Sequence, residues 1–180
     1  MDETEVAALT ASGAVAGLCP ITESNLGDGI FSGVDFLQAG GRFGVGSDSN
    51  VRISVAEELR TFEYSQRLRD EKRNCLAMQP GSTGRQIFGR ALAGGAQALG
   101  RSTGALEAGR AADIVRLSPD HPALVAARDD SWIDGWIFSG GNGCVADVWA
   151  AGRHVVRDGR HIGRDRIAPR FAATMRGLLA

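Results

Sequence analysis

Residues 41–50, with the sequence GRFGVGSDSN, constrain the fold more than any other segment. Residues 42–46 form a short run rich in apolar residues and glycine, which is typical of a strand buried on both faces. The run stops at Ser47, and residues 47–50 contain no apolar side chain. A barrel delivers an acid to its active-site rim at the end of a buried strand, so Asp48 is a candidate catalytic residue. The same four residues are also common in turns, where their side chains bond nearby backbone amides.

An alternation of helices and buried strands runs from the start of the chain to Gly100. Helical spacing predicts helices over residues 1–12, 34–39, 55–76 and 83–99, and apolar runs predict strands over residues 14–19 and 42–46. Ser54 begins the third of these helices with a capping-box pattern, and Glu58 is expected on its solvent face. Such alternation predicts parallel βα units.

The pattern changes after Gly100. Residues 112–117 are strand-like, residues 130–138 carry two tryptophans at helical spacing, and residues 140–143 are expected to form a turn. Residues 145–150, 153–157 and 160–162 predict an antiparallel meander, because Asp158-Gly159 is among the strongest two-residue hairpin signals. The second region is therefore expected to be β-rich.

The number of strands in the first region is too small for a closed barrel. A (β/α)₈ barrel needs about 250 residues, whereas only two strands are predicted before Gly100. Two parallel strands leave unpaired edges that favour association. We therefore expect the chain to be the C-terminal part of a larger α/β protein, and to form a homo-oligomer, with a dimer as the expected state.

Charge and cysteine content exclude several classes of protein. The net charge of −1 and the sequence pI of about 6.3 argue against a nucleic-acid-binding protein. Cys19, Cys75 and Cys144 are widely spaced, which argues against a disulfide framework or a structural zinc site. Without a leader segment or an apolar run near eighteen residues, we expect a cytoplasmic protein with a small-molecule substrate and no membrane partner.

The motifs together resemble the amidohydrolase superfamily of metal-dependent hydrolases. The resemblance rests on the strand that ends in Cys19-Pro20, the strand that precedes Asp48, and residues 104–115 and 152–160. It covers nearly the whole chain, and it implies the C-terminal part of a TIM-like (β/α)₈ barrel over residues 1–103. A small β-rich domain with a C-terminal helix would follow over residues 104–180.

Within this superfamily, residues 17–29 are similar to a loop of the formimidoylglutamate deiminases of histidine degradation. This resemblance implies a deaminase, dependent on Zn²⁺ or another divalent metal, that hydrolyses N-formimino-L-glutamate to N-formyl-L-glutamate and ammonia. Matched by position, Asp48 would be both the metal-binding and the catalytic aspartate, and would accept a proton from the metal-bound water. The histidine ligands of the family have no counterpart in this sequence, so the chain alone is expected to be inactive.

Four further residues near the predicted rim are candidates for substrate binding: Glu23, Asn25, Ser49 and Arg52. Glu23 and Asn25 follow the first strand in a predicted loop, and an arginine would suit the carboxylates of a glutamate-like substrate. The alternatives are that Glu23 and Asn25 shape the loop and that Arg52 is simply solvated.

The three histidines and the identity of the reaction leave further alternatives open. His121 is expected to be solvated, and His154 and His161 share one face of the last hairpin at a Cβ separation of about 7–8 Å, where surface histidines are a better interpretation than a metal site. The chain could also come from another amidohydrolase deaminase, acting on guanine, cytosine or a chlorinated triazine. A non-catalytic remnant subunit, stabilised by pairing its strand edges, is the alternative from a different class.

Overall fold

The computed structural model describes residues 1–179 and shows a mixed α/β fold with two separate β-sheets. In chain order the elements are α1 (Glu3–Ala11), β1 (Val15–Leu18), α2 (Pro20–Leu26), α3 (Gly33–Gln38), β2 (Arg42–Val45), α4 (Val55–Asp70), α5 (Thr83–Leu99), β3 (Ile114–Leu117), α6 (Ser131–Gly135), a π-helical turn (Trp136–Gly140), a 3-10 helix (Gly141–Cys144), β4 (Val145–Ala150), β5 (Arg153–Arg157), β6 (Arg160–His161) and α7 (Arg164–Leu178). Within the described residues, no helix has the length and apolar character that crossing a bilayer requires.

The first sheet consists of β1 and β2, which run parallel as the sequence predicts. The register pairs Val15 with Arg42 and Leu18 with Val45. The pairing continues one step further, because the Gly46 N–H donates to the Leu18 carbonyl at 3.0 Å. The carboxyl ends of both strands therefore meet at one edge, and the segments that follow them lie side by side.

Helix α5 packs directly against the backbone of β2, and a glycine permits this close approach. A Cβ on Gly94 would lie 2.6 Å from the carbonyl carbon of Phe43, and closer still to its carbonyl oxygen. The wholly buried ring of Phe43 meets that of Phe62 on α4 edge to face, with the ring centroids 5.2 Å apart. Strand β2 therefore packs against two helices, α5 and α4.

Helix α4 ends at Asp70, so the prediction that it extends to residue 76 is wrong. Glu71 adopts a left-handed conformation with φ of 52°, which stops the helix. The wholly buried Glu63 then accepts hydrogen bonds from the backbone N–H groups of Cys75 at 2.9 Å and Leu76 at 2.8 Å, and from Arg67 Nε at 2.6 Å. These bonds replace those that a continued helix would have made, because buried backbone amides need partners.

The second sheet is antiparallel, with the strand order β3-β4-β5-β6. Val156 pairs with His161 and Arg157 with Arg160 around the Asp158-Gly159 turn, as predicted. Asp158 and Gly159 have φ values of 46° and 73°, as expected for the two central residues of a type I′ hairpin turn.

The tryptophan-containing segment between β3 and β4 connects the second sheet to the helices of the first region. Helix α6 and the π-helical turn confirm the helical prediction for residues 130–138, but the turn predicted at residues 140–143 is a 3-10 helix. Trp136 meets Phe88 on α5 edge to face, with the ring centroids 5.3 Å apart. Phe138 stacks on Tyr64 of α4 at 5.9 Å, and the Arg67 guanidinium lies 5.2 Å from the centroid of each of these two rings.

Asp147 on β4 carries a buried negative charge that links three strands. It accepts a hydrogen bond from Arg116 Nε at 2.6 Å, and its other oxygen lies 2.7 Å from Nε2 of His154. Burial acts to raise the pKa of Asp147, but the hydrogen bonds from His154 and Arg116 outweigh burial and hold this pKa below its usual range.

This lowered pKa predicts a specific dependence of stability on pH. The contribution of Asp147 is fully present above the unfolded-state pKa of about 3.9, and it is lost as the pH falls through the lower folded-state value. We expect Asp147→Asn to reduce the free energy of unfolding near pH 6, and the difference from the unsubstituted chain to shrink at about pH 3. Urea denaturation at several pH values measures this, with the exposed Asp120→Asn as control. A difference that does not change with pH would contradict the prediction.

Candidate active site

The candidate active site lies where the carboxyl ends of β1 and β2 meet. We call residues 47–54, which connect β2 to α4, the rim loop. Asp48 is exposed and lies in a turn of this loop. A hydrogen bond from the Asn50 N–H to the Ser47 carbonyl, at 2.9 Å, closes the turn, and the backbone of Asp48 has φ of 46°. The loop thus presents the Asp48 carboxylate to solvent at the end of the strand.

The thiol of Cys19 lies at this edge, close enough to three carboxylates for their charges to act on it. Burial raises the pKa of Cys19, and the negative charges of Glu58, Asp48 and Glu23 raise it further. A Cβ at Gly46 would lie 3.7 Å from Sγ of Cys19, so this thiol lies beside the backbone that leads from β2 to Asp48. A raised pKa also keeps Cys19 protonated, which agrees with the expectation that it is not a nucleophile.

Residues 20–26 form helix α2, so the loop predicted for Glu23 and Asn25 is wrong. Pro20 occupies the first position of the helix, and Gly27 ends it with φ of 75°. The helix has no side-chain cap from its own N-cap residue. Instead, the Ile21 N–H donates to Glu58 Oε2 at 2.9 Å. Pro20 and Gly27 are the local signals that could have identified this helix, whereas the cap from Glu58 leaves no signal in the nearby sequence.

Glu58 is 2% exposed, so the prediction that it lies on a solvent face is also wrong. Burial raises its pKa, and the charges of Glu23 and Glu57 add to this effect, although the hydrogen bond from Ile21 opposes it. Its Oε1 atom is buried without a hydrogen-bond partner among the described residues. The spacing of apolar residues along α4 predicts that Glu58 faces solvent. It is buried because the start of α2 packs against it.

The other sequence-predicted site residues are only partly brought together. Glu23 Oε1 accepts a hydrogen bond from the Cys19 N–H at 2.6 Å, so this carboxylate stabilises the start of α2. Asn25 is exposed on α2, and Ser49 is exposed beside Asp48. Arg52 is exposed, and its guanidinium is paired with Glu57 at the start of α4, which raises the pKa of Arg52.

The rim loop is held at both ends by side-chain hydrogen bonds, and only the residue at its second end, Asn142, was not expected near the rim. The Thr22 hydroxyl donates to the carbonyl of Ser47 at 3.0 Å. At the other end, Asn142 Nδ2 donates to the Ile53 carbonyl at 2.9 Å, and the Ser54 hydroxyl donates to Asn142 Oδ1 at 3.0 Å. Asn142 was expected in a simple turn, and its partners lie 88 and 89 residues away in the sequence.

The described residues do not by themselves build a metal centre. Across residues 1–179, no group of three or more histidine, cysteine, aspartate or glutamate side chains is arranged to hold a metal ion. The histidines instead make local hydrogen bonds: His154 contacts Asp147, His161 accepts from the Gly163 N–H at 3.0 Å, and the partly buried His121 lies 3.3 Å from Cys144 Sγ. His121 is therefore not the solvated residue that was predicted.

The number of available metal ligands leads to the same conclusion about the described residues. A catalytic zinc site uses three protein ligands and one water. Asp48 is an oxygen donor of the right type in an accessible position, and it accounts for one of those ligands. The chain fits part of such a site, and the remaining protein ligands would have to come from outside the described residues.

Parallel strands with an acidic residue at their carboxyl ends are typical of α/β proteins whose active sites lie at the ends of the strands. The amidohydrolase family model matches residues 1–155, and the chain belongs to this family. The resemblance inferred from the sequence motifs is thereby confirmed.

Individual relatives agree with this assignment. A formimidoylglutamate deiminase from Pseudomonas aeruginosa is 55% identical over 180 residues, which cover 99% of this chain and 40% of the relative. A 5-methylthioadenosine/S-adenosylhomocysteine deaminase from Natronomonas pharaonis is 33% identical over 132 residues, covering 72% of this chain and 29% of that protein. The chain thus spans less than half of the length of either relative.

Solved structures show the same fold. An amidohydrolase from Brucella melitensis superimposes with a TM-score of 0.92 at 46% identity, covering 100% of this chain and 40% of that one. An adenosine deaminase from Xanthomonas campestris, solved with bound zinc, has a TM-score of 0.80 at 23% identity and covers 97% and 39% respectively. The second comparison supports the fold alone.

Proposed function

We propose that this chain forms part of a formimidoylglutamate deiminase, which converts N-formimino-L-glutamate and water into N-formyl-L-glutamate and ammonia. The observation that carries the proposal is the 55% identity to the Pseudomonas aeruginosa enzyme along 99% of the chain. The more distant Natronomonas pharaonis deaminase, at 33% identity, makes an adenosine derivative the second substrate to test.

In this proposal, β1 and β2 are the last strands of a TIM-like (β/α)₈ barrel. Residues 1–103 would form this part of the barrel, and residues 104–180 would form a small β-rich domain with a C-terminal helix. The superposition on the Brucella melitensis amidohydrolase over the whole chain supports this division, as do the two separate sheets. Only the strand-end edge of such a barrel carries active-site residues, which agrees with the position of Asp48.

Asp48 would act as both a metal ligand and a proton carrier. A bound divalent cation, Zn²⁺ in this proposal, would lower the pKa of a coordinated water and polarise the formimino group. Asp48 would hold this cation through one carboxylate oxygen. Its other oxygen would accept one proton of the water as the water oxygen bonds to the formimino carbon, and would pass it to the imino nitrogen. The second proton, from the hydroxyl that becomes the formyl oxygen, would reach the same nitrogen by the same carboxylate as the C–N bond breaks, so that the nitrogen leaves as ammonia.

The remaining site residues would contact the substrate. Ser49 is adjacent to Asp48, and Arg52 could bind a carboxylate of the glutamate portion with its exposed guanidinium. Glu23 and Asn25 on α2 complete the proposed set. The predictions of a cytoplasmic location and a dimer also stand as proposals.

A chimera tests the proposal directly. This chain would replace the matched 40% of the Pseudomonas aeruginosa enzyme, and ammonia release would be measured with N-formimino-L-glutamate and with 5-methylthioadenosine. We expect ammonia from the first substrate, and neither ammonia nor stoichiometric zinc binding from the 180-residue chain alone. A folded, zinc-loaded chimera that releases ammonia only from 5-methylthioadenosine, or from neither substrate, would overturn the proposal.

A further inference from the structure

We propose that Asn142 is a positioning residue for Asp48, although it lies in the segment that leads into β4. The inference rests on the proposed function and extends it to a residue outside the strand ends. Asn142 bonds two consecutive residues of the rim loop: its Nδ2 donates to the Ile53 carbonyl, and its Oδ1 accepts from the Ser54 hydroxyl. Asn142 is itself exposed, yet both polar atoms of its side chain are engaged in this way.

The chemistry of the partners fixes the orientation of the Asn142 carboxamide. The Ile53 carbonyl can only accept a hydrogen bond, so the NH₂ group must face it. The Ser54 hydroxyl then donates to Oδ1 and accepts from the Glu57 N–H at 3.3 Å, which makes Ser54 the N-cap of α4. One carboxamide therefore fixes both the end of the rim loop and the start of the helix.

The rim loop depends on these polar contacts because little apolar burial holds it. Val51 is 96% exposed and Ile53 is 71% exposed. Within the loop, the Arg52 N–H donates to Asn50 Oδ1 at 2.8 Å, which orders the backbone locally but does not attach it to the rest of the fold. The side-chain attachments are Thr22 at the Ser47 end, the ion pair of Arg52 with Glu57 of α4, and Asn142 at the other end. Asp48 lies between the two ends, so the position of its carboxylate depends on these attachments.

Asn142 is placed by a segment with little freedom to move. Gly141 has φ of 58°, and a Cβ on Gly140 would overlap Sγ of Cys144. Cys144 is wholly buried and directly precedes β4. The 3-10 helix therefore holds the carboxamide at a fixed place relative to the second sheet, and it couples that sheet to the proposed site.

The first test measures loop order in the chain itself. Asn142→Ala removes both hydrogen bonds, and we expect increased ¹⁵N relaxation dispersion at residues 48–53. Ile137→Val is the matched control, because Ile137 is wholly buried in the same segment but does not bond the rim loop, and its cost of about 0.5–1.5 kcal/mol acts on stability. Equal dispersion in the two variants would overturn the proposal.

The second test measures turnover in the chimera. A small displacement of a catalytic group is costly, so we expect Asn142→Ala to lower kcat about tenfold with little change in KM or zinc content. Asn142→Asp places a carboxylate against the Ile53 carbonyl, and protonation of that carboxylate restores the donor. We therefore expect the Asp variant, but not the Ala variant, to recover relative to the unsubstituted chimera as the pH falls towards about 4.

The outcomes separate this inference from the proposed function. An inactive parent chimera, or one that retains full activity with Asp48→Asn, means that the proposed function has failed. Full dependence on Asp48, combined with an Asn142→Ala kcat equal to that of Ile137→Val, means that the positioning role has failed while the function stands. Reduced kcat in Asn142→Ala together with recovery of Asn142→Asp at low pH supports the inference.

Discussion

The Asp48→Asn chimera is expected to release ammonia from N-formimino-L-glutamate about 10³-fold more slowly than the parent chimera. The amide cannot accept a proton from water, and it is a poorer ligand for a divalent cation than a carboxylate. We expect the melting temperature of the metal-free chimera to remain unchanged, because the Asp48 side chain is exposed and asparagine tolerates positive φ. Steady-state kinetics and thermal unfolding of the same preparations measure both quantities.

Asp158→Asn is the matched control for this experiment. Asp158 is also exposed and also has φ of 46°, but it lies in the hairpin between β5 and β6. We expect it to leave both turnover and stability unchanged, within about 0.5 kcal/mol for stability. If Asp48→Asn were to retain more than a tenth of the parent kcat, Asp48 would not be the proton carrier.

Gly94→Ala is expected to reduce the free energy of unfolding by about 3 kcal/mol or more. The added Cβ would overlap the backbone of Phe43, so α5 must move away from β2 and expose part of the core. A flexible side chain could rotate out of the way, but the contacted atoms belong to the backbone of a strand. Urea denaturation of the 180-residue chain measures the loss.

Gly95→Ala provides the neighbouring control. A Cβ at Gly95 meets no atom within 4 Å, and alanine has the higher helix propensity by about 0.8–1.0 kcal/mol. We expect this variant to be as stable as the unsubstituted chain or slightly more stable. Similar losses from both substitutions would mean that the contact with Phe43 does not account for the effect, because helix propensity favours alanine at both positions.

Local signals predicted much of the fold correctly. Helix α5 begins at Thr83 and ends at Leu99, exactly where spacing and the Gly100 stop placed it. The register of the last hairpin followed from Asp158-Gly159, because a two-residue turn leaves one way to pair the flanking strands. The parallel pairing of β1 and β2 also followed from the sequence pattern. The first two of these features depend on residues that are close together in the chain, and the third follows from the alternation of helices and buried strands.

The predictions were wrong where a contact with a residue further away in the sequence determines where a helix begins or ends. Helix α2 starts with a cap from Glu58, which is 37 residues away from Ile21. Helix α4 ends early because Glu63 satisfies amides 12 and 13 residues further along the chain. Asn142 was read as part of a turn, because nothing near it in the sequence indicates that it contacts the rim loop. A pattern of apolar spacing contains no information about such contacts.

The sequence by itself determined the strands that end beside Asp48, the family, and the presence of an acid at the end of β2. Only the tertiary structure decided which polar side chains are buried and which are free to act. Glu58 and Asp48 are both acidic residues near the rim, yet packing against α2 buries the first and leaves the second exposed. The reason is physical: local spacing sets the face on which a residue lies, whereas its solvation depends on the segments that pack against that face.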